Sequence, residues 1–108
     1  MNIDEARSLI IKESLDGIAY TSRMGDYSTE KNFNDLIKAI NIVEVSLRGE
    51  KNVDRELFCA LFVIGNQVEG NVHGAIAKGL AVPEWLWDEG IVELNEALYG
   101  VFEDHEGD

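Results

Sequence analysis

The sequence predicts an all-α fold, a compact single-domain bundle of four to six helices joined by short turns. Three observations predict it. Phe33, Leu36, Ile37, Ile40, Val43 and Leu47 recur at three- and four-residue steps, the spacing of one helical face. No segment alternates apolar and polar residues convincingly enough to name a strand with a partner. The chain has 108 residues, 45% of them hydrophobic and one of them proline, which suits one domain with a core of its own. That domain is assigned residues 1–104, and residues 105–108 are read as an acidic C-terminal tail.

The first helix is expected over residues 2–22. Asn2 can cap it, Glu5 sits three residues later as in a capping box, and Ile3, Ala6, Leu9, Ile10, Leu15 and Ile18 approximate one stripe. Gly25 marks its end. The second helix takes Ser28 or Thr29 as its cap and stops at Gly49. Asn52 or Asp54 can cap a third helix running to about residue 68, whose Leu57–Ile64 run is almost unbroken apolar. A helix apolar on nearly every side is a central one. Over eight residues a buried strand has the same appearance, but no partner strand exists for it.

Gly65, Gly70, Gly74 and Gly79 follow, and each lowers helix propensity by about 1 kcal/mol relative to Ala. A break near Gly70 and Asn71 is therefore expected, then a short helix through Leu80. Val82-Pro83 suits a fresh start, because the residue before proline avoids helical angles and proline is favoured at the first helical position. The last helix is expected from there to about Glu103, loosened at Gly90.

Net charge is −12, and it is unevenly spread: residues 1–78 carry 12 acids and 9 bases, whereas residues 79–108 carry 9 acids and no Lys or Arg. Such a field repels nucleic acid and anionic membrane and attracts cationic surfaces. The N-terminal segment has acids where a signal peptide needs a basic stretch, and no apolar run approaches a membrane span. A soluble, cytoplasmic protein is expected, without direct nucleic-acid or membrane contact. The single cysteine, Cys59, excludes an internal disulfide and is expected to be a buried thiol.

No catalytic or metal-binding pattern is found, so the chain is not expected to be an enzyme or to carry a cofactor or metal. His73 and His105 have no second His or Cys at zinc spacing, and Glu69 with His73 reads as a surface ion pair. The glycines match no phosphate-binding motif and read as sites of close packing or a kink, with a binding role for the polar stretch of Asn66, Gln67, Asn71 and His73 as the alternative. The serines lie in no nucleophile elbow.

At about 100° per residue, Trp87, Ile91, Leu94, Leu98, Val101 and Phe102 fall on one arc of the last helix, its expected core face. Glu89, Glu93, Glu96 and Glu103 lie across from it. Trp85, Val92 and Tyr99, seven residues apart, make a second apolar stripe beside the acids. That stripe reads either as a binding face, with Trp85 and Tyr99 as anchors, or as a second packing side on which Trp85 covers the third helix. The candidate partner-binding residues are Trp85, Asp88, Glu89, Val92, Glu93, Glu96, Tyr99 and Glu103. In the turn SRMGDYSTE, Asp26, Tyr27 and Glu30 form a second candidate patch if the fold brings them to the last helix.

Small, acidic and without a catalytic signature, and carrying the run PEWLWDEGIVELNEALYG, the chain resembles bacterial toxin immunity proteins. The resemblance implies a stoichiometric complex covering a toxin's active site or substrate channel, with carboxylates meeting Lys or Arg of a basic partner and no chemistry by the chain itself. The near balance of charge in residues 1–78 departs from a uniformly acidic surface. Two other readings stand beside it. One is a nucleic-acid mimic inhibiting a DNA- or RNA-binding complex; the other is a homo-oligomeric structural or adaptor protein burying Trp85, Val92 and Tyr99 against a symmetry mate.

Overall fold

A computed structural model describes residues 1–103, so the acidic tail expected over residues 105–108 lies outside the described residues. The described residues form an all-α bundle: α1 (Ile3–Leu15), α2 (Ile18–Thr21), α3 (Glu30–Leu47), α4 (Arg55–Ala77) and α5 (Ile91–Phe102). A 3₁₀ turn over Ser22–Met24 follows α2, and a π turn over Leu86–Gly90 leads into α5. No helix among the described residues is long and apolar enough to cross a membrane.

Helix starts follow the polar chemistry of the sequence. Asn2 and Glu5 close the expected capping box on α1. Of the two caps weighed for α3, Thr29 is used, its side chain accepting the Asn32 N–H, while Ser28 sits just outside with φ 64. Asp54, not Asn52, caps α4 by accepting the Glu56 and Leu57 N–H groups. The same carboxylate is bound by Arg7 of α1. The Arg7 hydrogen bond holds Asp54 below its ordinary pKa, partial desolvation opposing it, and the pair raises Arg7 in turn.

The first expected helix is cut short. α1 ends at Leu15, and the chain turns at Gly17 where any side chain would run into Glu13. The Glu13 carboxylate accepts the Ile18 N–H and so caps α2. A side chain that starts the next helix at the same point where the previous one must stop leaves no hydrophobic trace in the sequence.

The break expected near Gly70 and Asn71 is absent, since α4 runs unbroken from Arg55 to Ala77. Val68, Val72 and Ala75 bury their side chains in this half, and Asn71 donates to the Ser22 hydroxyl at 2.9 Å. Those contacts offset the glycines' propensity cost, about 1 kcal/mol each. The helix stops instead at Gly79 (φ 73), where the Leu80 N–H reaches back to the Ala75 carbonyl and the Gly79 N–H to Ile76, a Schellman closure.

α1 and α5 each pack against both α3 and α4, which places α3 and α4 at opposite corners of a four-helix ring. Direction alternates along the chain. Ile3 shares a groove with Val45, so α1 and α3 run opposite ways; Arg7 meets Asp54 and Asn71 meets Ser22, so α4 follows α1. Leu98 comes so close to Gly65 that a Cβ there would stand 2.9 Å from it, and this close approach is the point where α5 docks on α4. Ile10, Leu36, Ile40, Leu61, Ile64, Leu86 and Leu94 fill the centre.

α4 is not the fully enclosed helix that its composition suggests. Leu57, Ala60, Leu61 and Ile64 point inward, but Phe58, Phe62 and Val63 are exposed, and so is Cys59, which had been expected to be buried. An apolar run has no period, so its sequence does not say which side another helix covers.

Candidate protein-binding site

The acidic segment is built by one irregularity. Pro83 starts the final helix, its carbonyl accepting the Leu86 and Trp87 N–H groups. The Ile91 N–H then reaches back five residues to Leu86, the spacing of a π turn, which inserts one extra residue into the helix. Gly90 permits it: a Cβ at that position would lie 2.6 Å from the Trp85 carbonyl oxygen and 3.3 Å from the Phe33 ring.

The extra residue moves the core position from Trp87 to Leu86. Leu86 is 0% exposed and Trp87 48% exposed, the reverse of what an uninterrupted helix predicts. Ile91, Leu94 and Leu98 occupy the expected arc and Val101 is partly buried, but Phe102 is exposed and stacks edge-on against Phe58 at 4.8 Å. Trp85 leaves the stripe expected of it with Val92 and Tyr99. It is half-buried against the core, its ring 5.5 Å from that of Phe33 on α3.

The eight candidate residues therefore divide into two sets. Trp85, Asp88, Glu89 and Glu93 line a cleft of about 350 Å³ together with Glu30, Phe33, Asn34, Glu84 and Gly90. Val92, Glu96, Tyr99 and Glu103 line a shallow groove of about 590 Å³ with Asn95 and Gly100. Tyr99 and Val92 are 67% and 54% exposed there. Glu93 lies between regions, since it also borders an apolar groove formed by Ile3, Ile37, Ile42 and Val45.

The cleft concentrates charge. Its lining holds the carboxylates of Glu30, Glu84, Asp88, Glu89 and Glu93 and no Lys or Arg. Lys31, next to Glu30 in sequence, is engaged by Asp35 at 3.0 Å. The first turn of α3 supplies Glu30, and the positive end of that helix's dipole softens the repulsion among the acids. The Phe33–Trp85 pair adds the aromatic surface over which a cation is attracted.

Glu84, Phe33 and Glu30 were not among the sequence-derived site residues, although Glu30 had been tied to the condition that its turn approach the last helix. The fold meets that condition for Glu30 only. Tyr27 is buried in the core, and the Asp26 carboxylate accepts the Ser28 N–H. The sequence signal for Glu84 and Glu30 is that each is an acid opening a helix; their convergence depends on α3 and the final helix lying side by side.

Among the described residues, no three His, Cys, Asp or Glu side chains are arranged to hold a metal ion. His73 is exposed and makes no ion pair with Glu69. The glycine-rich part of α4 borders a separate polar hollow lined by Ser22, Arg23, Asn71, Gly74 and Lys78. No family model matches this sequence, and neither a curated protein nor a solved structure matches it.

Proposed function

We propose that the chain is a non-catalytic, protein-binding inhibitor of the immunity-protein kind, which neutralises a basic partner such as a toxin domain. The supporting observation is the cleft in which five carboxylates surround the Phe33–Trp85 pair with no basic side chain in the lining. A Lys or Arg side chain fits that chemistry: its charge meets the carboxylates and its stem or guanidinium plane lies on the aromatic rings. Val92 and Tyr99 offer adjoining apolar contact, with Glu96 and Glu103 steering the approach. Five carboxylates gather in one pocket, an arrangement that suits a side-chain receptor better than mimicry of a phosphate backbone. The protein acts by occupying the partner's surface, and its place of action is the cytoplasm.

The test is to capture partners on the immobilised protein, then titrate the recovered partner calorimetrically against wild type and Glu89→Lys/Glu93→Lys. Both positions are exposed, so circular dichroism should be unchanged while affinity falls by about 100-fold or more. Equal affinity for the two proteins, or capture of no basic protein, would remove this reading.

A further inference from the structure

A second surface, on the opposite side of α4 from its core contacts, has a different chemistry. From residue 57 to residue 68 the sequence LFCALFVIGNQV contains no charged side chain, yet Phe62 is 65% exposed, and Phe58, Cys59 and Val63 are exposed with it. Phe102 extends the patch from α5. At about 100° per residue, Arg55, Phe62 and Glu69 lie within about 20° of one line along the outside of α4. Arg55 and Glu69 are each seven residues from Phe62, one on either side, and neither makes an ion pair among the described residues. About 21 Å of helix separates them, so they cannot pair within one chain.

We infer that this face binds the same face of a second copy of the chain, with the two α4 helices antiparallel and crossing at Phe62. A two-fold axis through Phe62 sets Arg55 of each copy opposite Glu69 of the other, giving two complementary charge pairs around an apolar centre. A parallel pairing would put like charges together at both ends. The uncharged span is also the side by which two chains of net charge −12 approach with least repulsion. The exposed apolar surface amounts to roughly 400 Å², below the ~800 Å² per partner of a standard stable interface, so association is weak and concentration-dependent. This surface is separate from the acidic cleft, and its fate does not depend on the function proposed above.

Sedimentation equilibrium over micromolar to millimolar concentrations reads the association directly. The wild-type mass should rise from 12.0 kDa towards twice that value, and Phe62→Glu should remain a monomer with an unchanged melting curve. Arg55→Glu alone and Glu69→Arg alone should each weaken association by roughly tenfold. Mixed in equal amounts, these two variants should recover it, because a mixed dimer restores both opposite-charge pairs. A wild-type mass fixed at 12.0 kDa throughout overturns the proposal, as does association that survives Phe62→Glu. Single variants that weaken association without recovery on mixing overturn the antiparallel arrangement.

Discussion

α4 and the final helix are neighbours of similar apolar content, and they differ in what they turn outward. α4 shows Phe58, Phe62 and Val63 to solvent with no charge for twelve residues, whereas the final segment shows Glu84, Asp88, Glu89, Glu93 and Glu96 with no cation at all. Inside, α4 buries Leu, Ile, Val and Ala, and the final helix buries Leu, Ile and Ala. The inner faces decide that the two helices pack; the outer faces decide what each can meet. The unbroken apolar run by itself ranks α4 as the more enclosed helix, and the geometry reverses that ranking for its outer half.

The largest expected effect tests the register of the acidic segment. Leu86→Ala should cost about 3 kcal/mol in urea unfolding, as a fully enclosed leucine does, while Trp87→Ala should cost less than about 1 kcal/mol despite removing more atoms. A larger loss at Trp87 would mean that the helix is regular and the π turn absent. Next, Gly90→Ala should destabilise by about 1–3 kcal/mol, because the new methyl meets the Trp85 carbonyl and the Phe33 ring.

On α4 the expected sign is opposite. A Cβ at Gly70 or Gly74 meets nothing within 4 Å, so Gly70→Ala and Gly74→Ala should each stabilise by about 0.5–1 kcal/mol in the same experiment. Destabilisation by either would show that the helix does break there. The smallest effect concerns the Arg7–Asp54 pair between α1 and α4. Asp54 has a lowered folded pKa, so its contribution is present above the ordinary carboxylate pKa and disappears as pH falls through the lowered value. Asp54→Asn should flatten that part of the acid limb of the stability profile, read by thermal melts from pH 5 downward to about 2. An unchanged acid limb would show that the pair contributes nothing.

The sequence made some of this visible for definite physical reasons. α3 was legible from end to end because its apolar residues keep one period and Thr29 and Gly49 punctuate it. The extent of α4 was not, since local propensity argues for a break at Gly70 and only the burial of Val68, Val72 and Ala75 argues against it. In the candidate site, the acids and aromatics were recognisable as residue types. Their division between cleft and groove was not, because one inserted residue changes the phase of everything before Gly90. Glu30 joins the cleft across more than fifty residues of sequence, a distance that no local pattern spans.

The different exposures of Trp85 and Trp87 also give the molecule two separate optical reporters. Trp87 stands in water and should emit at the red end of the tryptophan range, while Trp85, sheltered against Phe33, should emit further to the blue and resist a soluble quencher. A basic side chain entering the cleft touches only the second of them. Fluorescence of the unmodified chain therefore contains both a signal for occupancy of the cleft and, two residues away, its own internal reference.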